Sequence, residues 1–109
     1  MIENVSMLLR NQISHALKIA NHEADAGNIV MVLFPNRGWV SAALRRPLRD
    51  NVHLRATTVE SSLKTLAIDT LILVGRTDAS WNENGEKCAR EKLRTSKNPR
   101  VIMVKVDED

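Results

Sequence analysis

Residues 29–34, Ile-Val-Met-Val-Leu-Phe, form an unbroken apolar run between Asn28 and Pro35. Such a run is too short for a helix and has no polar position in alternation, so a strand here must be covered on both faces, as in a parallel sheet between two helical layers. Pro35 then ends the strand. Residues 70–74, Thr-Leu-Ile-Leu-Val, repeat the pattern and are closed by Gly75. Two buried strands, each followed by turn residues and then by a segment of helical character, are the signature of an α/β domain.

Moving outward, apolar residues on the N-terminal side recur at three- and four-residue intervals from Asn4 to about Asp25: Val5, Leu8, Leu9, Ile13, Ala16, Leu17, Ala20 and Ala24. They predict a long helix with one apolar stripe, ended by Gly27. On the C-terminal side Asn36 is placed to cap a helix carrying Trp39, Val40, Ala43 and Leu44, which Pro47 stops by denying a backbone donor. Residues 52–56 predict a further strand, diluted by His53 and Arg55. Thr57 and Glu60 have capping-box spacing ahead of a short helix with Val59, Leu63 and Leu66 on its inner face. Ser80 and Glu83 repeat that spacing before a polar, peripheral helix over about 81–96, whose apolar positions are Trp81, Cys88, Ala89 and Leu93. Asn98-Pro99 breaks it, and residues 101–106 supply the last strand. Helices and strands alternating in this order predict a single domain over 1–109: a three-layer αβα sandwich with a mainly parallel four-stranded sheet and right-handed crossovers.

The composition agrees with one compact core. The chain has 109 residues, 43% hydrophobic and 27% charged, which is too apolar for disorder. No stretch has the roughly 18 consecutive apolar residues of a spanning helix. The opening residues lack a basic region and a small-residue cleavage site, so the expected location is cytoplasmic. Cys88 is the single cysteine, which excludes an internal disulfide and fits a reducing compartment. The net charge of +3 conceals an uneven distribution: residues 1–36 carry −1, residues 37–105 carry +7, and Asp107, Glu108 and Asp109 carry −3. A basic middle suits phosphates or an acidic protein surface, and equally suits a solvated face.

In open parallel sheets ligands bind beyond the carboxyl ends of the strands. That rule selects Asn36, Thr57, Arg76, Thr77 and Asp78 as a candidate anion site, all of which also have plain roles as caps and turn residues. The sequence contains no GxSxG, HExxH or CxxC motif and no dense acidic cluster, so no catalytic residue, metal site or cofactor is assigned, and an enzyme is the less favoured reading. His15 and His22 lie seven apart on the long helix without carboxylate or thiol company. His53 acts as an acid or base only if the fold brings it a partner. Cys88, between Lys87 and Arg90, reads as a half-buried residue before it reads as a lowered-pKa thiol.

Gly27 to Leu44 (GNIVMVLFPNRGWVSAAL) resembles the segment of helicase- or terminase-type P-loop ATPases in which a strand ending in a Pro/Asn/Arg loop precedes a helix. Asp69 to Asp78 (DTLILVGRTD) resembles the strand that ends in Walker B acids in that family, and residues 98–106 (NPRVIMVKV) the strand after it. The likeness covers about 5–106. GxxxxGK[ST] is absent, and Val74-Gly75-Arg76 stands where the acids would hold magnesium. What the resemblance implies is a degenerate P-loop NTPase core without hydrolysis, retained for binding. Flavodoxin-like and other small doubly wound domains share the same pattern.

The sharpest charge signal is Arg37, Arg45, Arg46, Arg49 and Arg55, which share nineteen residues with one acid, Asp50. A second group, Lys87, Arg90, Lys92, Arg94, Lys97 and Arg100, is accompanied by the acids Glu86 and Glu91. Arginine suits planar contact with phosphate or carboxylate. The expectation is a non-enzymatic domain that binds an anionic partner through the first group, with nucleic acid preferred. Two alternatives stand beside it: a protein-interaction or inhibitory module meeting an acidic protein surface, and a nucleotide- or phosphate-binding enzyme using the strand ends. The aromatic residues available to stack on a base are few, Phe34, Trp39 and Trp81. Two sheet edges leave association as a homodimer open, and a small basic α/β chain of this type fits a virus as readily as a cell.

Overall fold

The computed structural model describes residues 2–59, 67–95 and 99–104. In chain order these form α1 (Ile2–Asp25), β1 (Val30–Phe34), α2 (Arg37–Ala43), β2 (Val52–Ala56), β3 (Thr70–Val74), α3 (Glu83–Glu91), a 3-10 turn (Lys92–Thr95) and β4 (Arg100–Val104). The four strands make one parallel sheet in the order β2-β1-β3-β4, with Val30 opposite both Val52 and Thr70, and Thr70 opposite Arg100. This is the expected α/β class. Residues 60–66 of the short helix expected after Thr57 lie outside the described residues, as do residues 105 and 106 of the last strand.

Strand alternation divides the core into two layers. On one face Ile13, Ala16, Leu17, Ala20 and Ala24 of α1, with Ala43 of α2, pack on Val30, Val32, Phe34, Val52, Leu54, Ile72, Val74 and Val104. On the other, Met31, Leu33, Leu71 and Leu73 pack with Ile68, Ala89 and Leu93, and Trp81 and Cys88 close the layer. The central strands β1 and β3 are buried at every position, which is why they read as continuous apolar runs. The edge strand β2 is buried at alternate positions, so His53 and Arg55 fall on the face opposite α1 and α2.

The ends of the elements follow local chemistry. Gly27, at φ +92°, ends α1 in a Schellman arrangement: the Gly27 amide donates to Ala24 O (3.0 Å) and the Asn28 amide to Glu23 O (3.2 Å). Asn51 then ties this corner to β2, its side chain donating to Ala24 O and Asn28 O at 3.0 and 2.7 Å. Asn36 caps α2 as expected, accepting from the amides of Gly38 and Trp39. The helix ends at Ala43, ahead of Pro47.

Two expectations are corrected at α3. Its cap is Asn82, which accepts from the amides of Asn84 and Gly85, so the Ser80/Glu83 pair does not form the capping box and Trp81 precedes the helix. Nor is the helix peripheral: Gly85, Glu86 and Ala89 are buried. The small size of Gly85 and Ala89 lets α3 approach the sheet closely, an effect that an apolar-residue count does not register.

Candidate functional site

The chain leaves β1 for β2 on one side and returns to β3 on the other, so the carboxyl ends of β1 and β3 form the crevice where doubly wound sheets bind ligands. Here the crevice is laced together by its own side chains. Asn36 donates through Nδ2 to Ser80 Oγ (2.9 Å), and Ser80 donates to Asp78 Oδ1 from both its hydroxyl (2.7 Å) and its amide (2.9 Å). The Trp39 side chain also bonds Asp78, and these hydrogen bonds, chiefly from Ser80, hold the carboxyl below its ordinary range. Thr57 is fully buried, donating to Pro35 O (2.8 Å) and accepting from the Asn82 amide (3.0 Å). Of the five residues expected to bind an anion here, Asn36 and Asp78 meet through Ser80 and Thr57 joins the neighbouring loops. Arg76 turns to Glu86, and Thr77 is exposed. Apart from exposed Thr77, the side chains of this set are engaged internally, and the Asp78 carboxylate adds negative charge.

Gly75 makes the closure possible. At φ +69° it occupies the left-handed region, and a Cβ there would stand 2.7 Å from Trp39 Cη2 and 2.9 Å from Pro35 Cγ. Gly75→Ala therefore combines backbone strain with displacement of the indole, and should destabilise the fold by about 2–3 kcal/mol in urea denaturation. An unchanged midpoint would show that the indole has freedom to move.

Glu86, not placed in a site by the sequence, is shared by three side chains. Its carboxylate receives Arg76 Nε (2.7 Å), Arg90 Nε (2.9 Å) and Trp81 Nε1 (3.2 Å), with the side chain only 10% exposed. The four-residue spacing from Glu86 to Arg90 is the one sequence signal that pointed to it. Burial pushes the Glu86 carboxyl up, and the hydrogen bonds and charges of Arg76 and Arg90 more than offset that, leaving it lowered. A lowered carboxyl gives stability that is complete above the group's ordinary, unfolded-state pKa and lost as pH falls through the lower folded value. Glu86→Gln should lower stability by about 1–3 kcal/mol at neutral pH. It should also flatten the acid limb below about pH 4. A variant that keeps the wild-type pH profile would remove Glu86 as its source.

The arginine group divides by environment. Arg37 and Arg45 are exposed and have no bonding partner among the described residues. Arg46 donates to the neutral Ser14 hydroxyl at 2.6 Å, joining α1 to the end of α2. Arg49 forms an ion pair with Asp25 (2.7 Å), both more than half exposed; the contact lowers the Asp25 pKa and raises that of Arg49. Arg55 lies on the opposite face of the sheet and donates to Leu54 O at 2.9 Å. In the second group, Arg90 is paired with Glu86, and Arg100 with the buried Glu23.

Arg37 and Ser41 lie four residues apart on α2, with Gly38 and Ala42 beside them, and Arg45 and Arg46 follow in the turn beyond the helix end at Ala43. Gly38, Ser41, Ala42, Arg45 and Arg46 line an open groove of about 430 Å³. Its lining combines three small residues with two arginines. Of the five expected arginines, Arg45 and Arg46 line this groove, Arg37 opens α2 outside the groove's lining, Arg49 lies further along the chain in an ion pair, and Arg55 is separated.

His15 and His22 are exposed, and His53 is half-buried on the face opposite α1. Burial, then the nearby Arg55 charge, lowers the His53 pKa. Cys88 packs into the second core layer. Among the described residues no cluster of three His, Cys, Asp or Glu side chains is placed to hold a metal ion, and no helix is long and apolar enough to cross a membrane. Compared with protein-family models, curated proteins and solved structures, the chain matches none.

Proposed function

We propose that the protein is a non-enzymatic domain that binds the phosphate backbone of nucleic acid on the outer face of α2. The observation that carries this reading is the groove over Gly38, Ser41 and Ala42, bordered by Arg45 and Arg46, with Arg37 and Arg45 free of carboxylate partners among the described residues. A guanidinium that is not already neutralised gains most from a phosphate, and small residues beneath it let a sugar-phosphate chain approach the helix.

The proposed recognition is of backbone rather than bases. Trp39 packs against Phe34, with ring centroids 6.4 Å apart, and Trp81 is bonded to Glu86, so neither indole is offered as a stacking platform on the α2 face. Binding is therefore expected to tolerate any sequence and to accept duplex at least as well as single strands. The likeness to a P-loop core without its phosphate loop enters this reading only as a domain kept for binding.

One observation favours a second reading. Leu44 is 62% exposed beside Arg45, and an apolar residue next to arginine is also the composition of a protein interface. Fluorescence anisotropy with a labelled duplex of random sequence separates the two. Arg37→Ala/Arg45→Ala should weaken binding at least tenfold at low salt, whereas Arg49→Ala, which removes a paired charge, should weaken it by less than threefold. Failure of the wild type to bind either duplex or single strand would set the nucleic-acid reading aside in favour of an acidic protein partner.

A further inference from the structure

The two edges of the sheet are finished differently. Along β2 the bonds from the Val30 amide to Asn51 O and from the Thr57 amide to Phe34 O fix which residues face β1. Backbone direction alternates along a strand, so Val52, Leu54 and Ala56 point their N–H and C=O groups outward. Arg55 folds back over this edge, its Nη1 donating to the outward Leu54 carbonyl at 2.9 Å. A guanidinium at the centre of the edge obstructs the addition of another strand, one of the devices by which sheets avoid edge-to-edge pairing.

No such obstruction is present on β4 among the described residues. The Arg100 amide donates to Asp69 O (3.1 Å), so Arg100, Ile102 and Val104 face β3, and Val101 and Met103 direct their backbone groups outward. The side chains of Val101 and Met103 share one face of the sheet and are 41% and 39% exposed, two of the four large exposed apolar residues among the described residues. β4 thus offers unpaired backbone donors and acceptors together with exposed apolar side chains.

We propose that the β4 edge binds a second copy of this chain, antiparallel, about a two-fold axis at Ile102. The pattern of outward groups fits this occupant. Val101 of one chain would pair with Met103 of the other, each exchanging both backbone bonds, and the same pair recurs across the axis, so all four outward residues are satisfied at once. The four exposed side chains meet on one face, Val101 beside Met103 of the second copy and the reverse. The charges in the sequence agree with this direction. In the sequence Arg94, Lys97 and Arg100 precede or open the strand, and Lys105, Asp107, Glu108 and Asp109 follow it with a net charge of −2, so antiparallel pairing brings basic sequence of one chain toward net acidic sequence of the other. A parallel arrangement would align like charges. The product is a continuous eight-stranded sheet whose two remaining edges are the ones closed by Arg55.

Sedimentation equilibrium of the full chain, with disulfide trapping, tests the arrangement. The wild type should sediment at twice 12.2 kDa. Met103→Pro, which removes an N–H that the monomer's sheet does not use, and Met103→Lys, which preserves it but places charge in the contact, should both sediment as folded monomers, with circular dichroism unchanged. In a Cys88→Ser background, Ile102→Cys should form an interchain disulfide under mild oxidation. Facing residues at a non-hydrogen-bonded antiparallel position lie about 4.5 Å apart at Cα, within disulfide reach. Val104→Cys should not, since it would face Arg100 of the second copy. A monomeric wild type overturns the proposal, and so does a dimer that survives both Met103 substitutions or fails to cross-link through position 102.

Discussion

Gly85→Ala should destabilise the protein by about 3 kcal/mol or more, a large share of the roughly 5–15 kcal/mol that holds a domain together. A Cβ at position 85 would lie 2.2 Å from Thr57 O and 2.9 Å from Thr57 C and Cα. No rotamer relieves this, because every contacting atom is backbone. Thr57 cannot retreat cheaply. Its amide is bonded to Phe34 O at the end of the β1–β2 ladder, its hydroxyl to Pro35 O, and that hydroxyl receives the Asn82 amide from the cap of α3. Moving α3 outward instead would strip cover from Leu33, Leu71 and Leu73 and pull Glu86 from its partners. The urea midpoint should fall sharply with the slope unchanged. Asn84→Ala, on the exposed side of the same turn, should stay within about 0.5 kcal/mol of wild type. Equal stability of Gly85→Ala and wild type would mean that α3 is not seated against β2.

The second large effect concerns binding. Arg37→Ala/Arg45→Ala/Arg46→Ala should reduce duplex affinity by about two orders of magnitude at low salt, because each phosphate contact, from Arg45 and Arg46 in the groove and from Arg37 at the start of the helix that lines it, releases condensed counterion. The loss should come without unfolding. Arg37 and Arg45 are exposed and have no partner among the described residues, while Arg46 gives up a single bond to Ser14, about 0.5–1.5 kcal/mol. A binding defect that tracked melting temperature across the single variants would attribute the effect to α2 folding rather than to phosphate contact.

The sheet was legible because its signals are local. IVMVLF and TLILV are continuous apolar runs because β1 and β3 are covered on both faces, and the alternation Val52, Leu54, Ala56 survives His53 and Arg55 because β2 is an edge strand. Asn36 and Gly27 were legible as a cap and a stop for the same reason: each acts on backbone within a few residues.

Tertiary relations were not legible. Ser80 and Glu83 have capping-box spacing, but Ser80 is drawn to Asn36 and Asp78, and Asn82 takes the cap. The α3 sequence is polar and reads as peripheral, although its approach depends on what Gly85 lacks. Sequence shows five arginines in one stretch without showing that Arg49 meets Asp25, 24 residues away, or that Arg55 faces the opposite side of the sheet. Pairing across such separations is set by the crossovers. The candidate face on α2 emerges only when the neutralised arginines are set aside.

If unneutralised arginines at α2 meet phosphate, the salt dependence of duplex binding shows it most directly. For wild type and Arg37→Ala/Arg45→Ala/Arg46→Ala, log affinity should fall linearly with log salt, and the variant slope should be shallower by roughly three contacts' worth, at about 0.9 per phosphate. Parallel slopes, with or without a loss of affinity, would place the phosphate contacts elsewhere on the molecule and contradict the account.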